Sequence, residues 1–162
     1  MSALSSSPTN YSIYAIPAFY VLVLLPQALG TFAILRANNY NFDNANPRGQ
    51  NFQSSLRKSL PKSTLAFYER ANAAHNNGWE NFILFTAAVI CGNLARLDVG
   101  TLNGAAGAFL ALRTLYVGVY LGVERRKLAW SRTGIWAAGA GCCLYLLAEA
   151  GRVVASGGPL AV

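Results

Sequence analysis

Between Tyr11 and Leu35 the chain runs for 25 residues without one charged side chain. An apolar stretch of that length reads as a membrane-crossing helix, since a bilayer core takes about 20 residues of helix. The tyrosines at its start, Tyr11, Tyr14 and Tyr20, suit the membrane interface. Two more blocks follow the same pattern: residues 102–123, broken by Arg113, and residues 129–151, with Arg132 near the start. Only 12% of the residues are charged, about half the share of a soluble domain.

A fourth apolar segment, Phe82 to Leu94, is short for a span and is entered without a break from a polar stretch. That stretch, Tyr68 to Asn81, holds Glu69, Arg70, Asn72, His75, Asn76, Asn77 and Glu80. Placing charged residues within a bilayer costs roughly 2.5–3.5 kcal/mol each at its centre, and such residues usually face a bundle interior or a water-filled cavity. Something must therefore be bound, paired or hydrated along this helix.

The expected architecture is all-α: an integral membrane four-helix bundle in a single domain, residues 1–162. Its spans are expected at about 11–35, 64–96, 102–123 and 129–151. Residues 38–63 form a polar connection with turn chemistry at Asn46-Pro47-Arg48-Gly49 and at Leu60-Pro61. Ser63 or Thr64 is expected to cap the second helix, and Leu97 to Thr101 to make a tight turn. Small residues at four-residue spacing (Gly104 and Ala108, Gly118 and Gly122, Gly134, Ala138 and Cys142) either let helices approach closely or reflect a composition common to membrane spans.

The net charge of +7 raises nucleic acid as a partner, but the basic residues lie between apolar blocks, where they orient a membrane protein instead. The connection after the first span carries Arg36, Arg48, Arg57, Lys58 and Lys62, and that after the third carries Arg125, Arg126 and Lys127. The connection after the second has Arg96 against Asp98. The first and third connections are therefore expected in the cytoplasm, with both termini on the far side. Met1 to Asn10 lack a basic segment and no small-residue cleavage site follows, so the first block reads as a retained span. Cys91, Cys142 and Cys143 lie within apolar runs without metal-ligand spacing, and no metal is expected.

At 1.5 Å per residue, Glu80 lies roughly 22 Å and Arg113 roughly 18 Å from the ends of their helices that share the Leu97 turn. The two meet at similar depth. Arg113, Tyr116 and Tyr120 share a face, as do Arg70, Asn77, Glu80 and Asn81, and Arg132 opens the fourth helix from the same side. An excess of arginine over carboxylate implies an anionic, hydrogen-bonding ligand. A bare Glu80–Arg113 ion pair that pins the bundle is the plainer alternative, and it leaves Arg70, Asn77, Tyr116, Tyr120 and Arg132 unexplained. His75 reads as a hydrogen-bonded interfacial residue rather than a ligand or base.

Glu69-Arg70, Ala74-His75, Asn77 and Glu80-Asn81 together resemble the second-helix signature of the membrane-associated proteins in eicosanoid and glutathione metabolism. Arg113 with Tyr120, and Arg132-Thr133, resemble the signatures of that family's third and fourth helices. The resemblance implies a homotrimer in the endoplasmic reticulum or another internal membrane, binding glutathione between subunits and lipophilic small molecules from the lipid. It implies that Asn77, Glu80, Arg113 and Tyr120, with Tyr116 beside them, hold glutathione, that Arg36 reaches in from the neighbour, and that Arg132 with Thr133 stabilises the thiolate. Glutathione-using members carry an arginine four residues before the motif asparagine, where this chain has Ala73; Arg70, one turn earlier, is the substitute available. Two functions follow: a glutathione-dependent transferase or peroxidase acting on lipophilic electrophiles or lipid hydroperoxides, or a non-enzymatic protein of the same fold that binds lipid or another anionic amphiphile, or scaffolds a membrane complex.

Overall fold

A computed structural model describes residues 8–42, 45–47, 49–123 and 130–158. Among these residues a 3-10 turn at Ser12–Tyr14 is followed by five helices: α1 (Ala15–Ala37), α2 (Gln50–Ser59), α3 (Lys62–Leu94), α4 (Val99–Gly122) and α5 (Trp130–Ala155). No strand occurs among the described residues. Among the described residues three helical segments are long and apolar enough to cross a membrane: Ser12–Ala37, Val99–Gly122 and Trp130–Ala155. α3, at 33 residues, is longer than any of these, but its polar first half dilutes its hydropathy.

The helix α2 occupies part of the connection that the sequence presented as loop. Its inward residues, Phe52 and Leu56, pack with Ile34, Leu60 and Tyr68, while Ser54, Ser55, Arg57 and Lys58 are exposed. Three polar residues, Gln53, Ser54 and Ser55, separate its two apolar positions, Phe52 and Leu56, which masked a short amphipathic helix. The cap expected at Ser63 or Thr64 is not made either: α3 starts two or three residues earlier, after Pro61, without a side-chain cap. Proline at a helix start has no N–H to satisfy, so the start is set without one.

Both ends that lead out of α1 and α3 close by left-handed residues. Asn39 (φ 48°) and Tyr40 (φ 60°) follow α1, and the Tyr40 N–H bonds to the Leu35 carbonyl at 2.7 Å. After α3, Arg96 takes φ 53°; the Leu97 N–H reaches the Gly92 carbonyl and the Arg96 N–H the Asn93 carbonyl, each at 3.0 Å. This is the paired hydrogen-bond pattern of a Schellman ending, in which the left-handed position favours glycine. Replacing Arg96 with glycine is expected to stabilise the fold by about 0.5–1 kcal/mol, readable as a raised midpoint of thermal unfolding in detergent. α4 then begins at Val99, inside the expected turn, with Asp98 accepting from the Thr101 N–H at 3.1 Å.

The long helices alternate in direction. α1 meets α3 antiparallel, with Gly30 against Tyr68 and Ala71 at one end and Val23 against Gly78 nearer the middle. A Cβ at Gly30 would come within 2.9 Å of the Ala71 Cβ, and one at Gly78 within 3.0 Å of Val23. These glycines, with Gly92 against Leu102, are the close approaches. The small-residue rows singled out from spacing are elsewhere: Gly104, Gly118, Gly122 and Gly134 meet nothing within 4 Å, and only Cys142 among those rows packs against the core. Small residues at a regular spacing mark a face, but not whether the chain's own helices cover it.

The core lies where α1, α3, α4 and α5 meet. The Phe85 and Phe109 rings stack at 4.0 Å between centroids, and Phe19 stands edge-on to Phe109 at 4.8 Å and to Phe85 at 5.6 Å. At the Leu97 end, polar side chains tie the N-terminal segment down. Asn10 donates to Asn93 Oδ1 at 2.7 Å, Asn93 donates to Ser12 Oγ at 3.0 Å, and the Tyr11 N–H meets Asn103 Oδ1 at 2.8 Å. The opposite end, where α1 and α4 finish and α3 and α5 start, carries the candidate site.

Candidate functional site

Asn77 is the centre of the polar cluster. Antiparallel packing brings α4 alongside α3 so that Arg113 Nη2 donates to Asn77 Oδ1 at 2.8 Å and to the Asn77 carbonyl at 3.4 Å. One turn on, Asn81 Nδ2 donates to the same carbonyl at 2.8 Å, and Asn77 Nδ2 reaches Glu80 Oε2 at 3.5 Å. Spacings of three and four place these side chains on one face of α3. The simple Glu80–Arg113 ion pair is not made: Glu80 is exposed, and its link to the arginine passes through Asn77.

Arg113 is 2% exposed, and a buried guanidinium is costly unless its charge is offset. Its partial compensation is aromatic. The guanidinium carbon lies 4.5 Å from the centroid of the Tyr116 ring and 5.7 Å from that of Phe19, within the range of cation–π attraction. Nε and Nη1 are buried without a hydrogen-bond partner. The ladder continues along α4, with Tyr116 and Tyr120 at 5.3 Å between centroids. Arg132 then crosses from α5 with its guanidinium 4.2 Å from the Tyr120 ring centroid. Its Nη2 donates to the Val123 carbonyl, and its Nε is buried without a partner.

The structure therefore gathers Asn77, Glu80, Arg113, Tyr116, Tyr120 and Arg132 at one end of α3, α4 and α5. Three of the residues named from sequence stand apart. Arg36 is exposed near the end of α1, in a groove with Ser63, Thr64 and Phe67. Arg70 is half-buried on α3, two turns before Asn77, and Thr133 is exposed beside Arg132. His75 is buried, and both its ring nitrogens are engaged. Nε2 accepts from the Trp79 indole N–H at 3.0 Å, and Nδ1 meets the Val23 carbonyl at 2.8 Å. A carbonyl only accepts, so Nδ1 carries the proton and the ring is neutral. It is hydrogen-bonded, as read from the sequence, and it bridges α3 to α1.

Sequence reasoning overlooked the ring of Phe19 beneath Arg113, and a polar cavity of about 440 Å3 between α1, α2 and α3 reached by Gln27, Gln53, Tyr68 and Asn72. The cavity had no usable signal, because its walls come from segments far apart in sequence. No cluster of residues able to hold a metal ion occurs among the described residues.

Long apolar helices enclosing a buried arginine and its asparagine define an integral membrane protein with a polar site near one end. A sequence model of the MAPEG family matches residues 12–152. The chain belongs to the MAPEG family. Comparison with curated proteins and with solved structures finds no match.

Proposed function

We propose that the protein is a membrane-bound, glutathione-dependent transferase or peroxidase, acting as a homotrimer on lipophilic electrophiles or lipid hydroperoxides. The observation that carries this reading is the pair of arginines, Arg113 and Arg132, held on one ladder of tyrosines with buried nitrogens that no group among the described residues satisfies. The donor set fits glutathione. The exposed Glu80 carboxylate suits an ammonium group, and Asn77 and Tyr120 offer hydrogen bonds. Arg132, half-buried rather than sealed, suits an anionic group. Arg113, sealed behind Tyr116, positions Asn77. Ala73, where the resemblance expects arginine, leaves a carboxylate of the ligand to Arg70, and Arg36 of a neighbouring copy is the remaining member.

Glutathione supplies a thiol nucleophile. Cysteine thiols have a pKa of about 8.5 and are mostly protonated at neutral pH, and a neighbouring guanidinium raises the thiolate fraction. Arg132 is held for that role by the Tyr120 ring and the Val123 carbonyl. Thr133, next to it, offers a hydroxyl. Self-association is supported by α3, where Glu69, Asn76, Ile83 and Ile90 recur every seven residues and are all exposed in a single chain. Polar groups on such a stripe need cover in a membrane.

The protein purified in mild detergent is expected as three chains per particle by native mass spectrometry, and titration with glutathione is expected to produce thiolate absorbance in the ultraviolet. Trimeric protein that gives no thiolate signal favours the second reading, a non-enzymatic lipid- or amphiphile-binding member, which Ala73 supports. Orientation follows from the basic connections. Single cysteines at Ser55 and Lys127, in a background without the native cysteines, are expected to react with a membrane-impermeant reagent from the cytoplasmic side, in an internal membrane such as the endoplasmic reticulum. Reaction from opposite sides would exclude this arrangement.

A further inference from the structure

The polar cavity of about 440 Å3 between α1, α2 and α3 lies across α3 from the arginine cluster. On that helix Asn77 turns to α4, where Arg113 meets it at 2.8 Å. His75 turns instead to α1 and bonds the Val23 carbonyl at 2.8 Å. It lines the cavity together with Gln27 of α1, Gln53 of α2, and Tyr68 and Asn72 of α3. Among the described residues no charged side chain does so, and the His75 ring is neutral. An ion would enter without a counter-charge, which is costly. What the walls offer is hydrogen bonding. Gln53 Nε2 donates to the Pro47 carbonyl at 3.0 Å and to the Tyr68 hydroxyl at 3.3 Å. The Gln53 oxygen and the Tyr68 proton are left without partners among the described residues, and the Asn72 amide makes no hydrogen bond among them either. Phe42, edge-on to Phe52 at 5.0 Å between centroids, adds an apolar wall. The volume falls within the range of small-molecule sites, roughly 300–1,000 Å3.

We propose that this cavity binds an uncharged polyhydroxy compound, a sugar or polyol, through the amides of Gln27, Gln53 and Asn72 and the Tyr68 hydroxyl. A hydroxyl both donates and accepts, and so does a primary amide, so neighbouring hydroxyls pair with such amides two bonds at a time. The C–H face of the same ligand suits the Phe42 ring. The inference does not rest on the transferase reading. None of these residues belongs to the arginine cluster, and walls without a cation do not suit anionic glutathione.

The Trp79 indole N–H bonds His75 Nε2 at 3.0 Å, so its fluorescence reports on the cavity once Trp130 and Trp136 are replaced with phenylalanine. That parent protein, in a detergent without a sugar head, is titrated with glucose, with myo-inositol and with glycine betaine, a zwitterion. A saturable change with at least one polyol and none with betaine is expected. Asn72→Leu and Gln27→Leu should each raise the midpoint about tenfold, the size expected for one hydrogen bond lost. Ser54→Ala, on the exposed side of α2, should match the parent. No saturable change with either polyol overturns the proposal, as does an equal change with betaine. A midpoint unmoved by both leucine variants also overturns it, by putting the ligand elsewhere. If Asn72→Leu does not fold, Gln27→Leu decides. Displacement of the polyol by glutathione would make the cavity part of the thiol site and would end the proposal too. A glutathione titration that fails while polyol binding follows the expected pattern removes only the transferase reading.

Discussion

Replacing Arg132 with alanine is expected to lower the turnover number by two to three powers of ten while changing glutathione affinity only modestly. The reasoning starts from its position. Arg132 is the half-buried guanidinium of the cluster, steadied by the Tyr120 ring at 4.2 Å and by the Val123 carbonyl, so its direction is fixed before any ligand arrives. A charged donor fixed in a low-dielectric site costs little reorganisation during reaction, and removing one typically costs about 3–4 kcal/mol of transition-state stabilisation. A thiolate shares its charge with the guanidinium most strongly as it attacks, so the loss falls on the rate rather than on binding. Single-turnover kinetics with a lipophilic electrophile, beside thiolate titration, separate the two quantities. Arg132→Lys restores charge without the flat guanidinium that lies over Tyr120, and is expected to recover part of the rate. An Arg132→Ala variant with unchanged turnover and lost glutathione affinity would show that the residue clamps a carboxylate instead.

The parts of this molecule that could be read from its sequence are those set by solvent. Tyr11 to Leu35 contain no charge, and hydrocarbon leaves such a stretch few conformations other than helix. The same logic brings Arg113 to the second helix: counting rise per residue places Glu80 and Arg113 at matching depth, and the structure puts Arg113 within 2.8 Å of Asn77, one turn from Glu80. Depth is a one-dimensional quantity and sequence carries it. Rotation about the helix axis is not, and there the reading thins out. Whether Asn77 or Glu80 faces α4 depends on how α3 is turned by Gly30, Gly78 and Gly92, whose contacts are with Ala71, Val23 and Leu102. Gly104, Gly118 and Gly134 have the same local chemistry and meet nothing within 4 Å. The asparagine ties of Asn10, Asn93 and Asn103 escaped notice for a related reason, since partners more than 80 residues apart leave no local pattern. Arg36 shows the limit from the other side: its cationic character is plain, while its neighbours, Ser63 and Thr64, arrive from a different helix.

Removing the Asn77 side chain is expected to destabilise the fold by about 2–3 kcal/mol, because its amide oxygen is the principal hydrogen-bond partner of a buried cation. Arg113 already carries two buried nitrogens without partners, so the 2.8 Å bond from Nη2 to Asn77 Oδ1 bears most of its compensation beyond the Tyr116 and Phe19 rings. Asn77→Ala leaves the main-chain carbonyl, which Arg113 meets at 3.4 Å and Asn81 at 2.8 Å, and this keeps the loss below that of a fully uncompensated charge. Removing both partners has the opposite sign of argument. An Asn77→Leu, Arg113→Met double variant takes the charge away with its partner, and apolar replacements of a buried polar pair are often neutral or stabilising. The double variant is thus expected to unfold within about 1 kcal/mol of wild type and above Asn77→Ala, a non-additivity that reports direct coupling. Unfolding of each purified variant in detergent, followed by far-ultraviolet circular dichroism, measures the order. Asn77→Ala as stable as wild type would mean that the guanidinium is satisfied by water or by a bound ligand rather than by Asn77. Glutathione titration of the same double variant separates structure from function: a folded protein that has lost the thiolate signal assigns the buried pair to holding the site, since neither substituted residue then limits the fold.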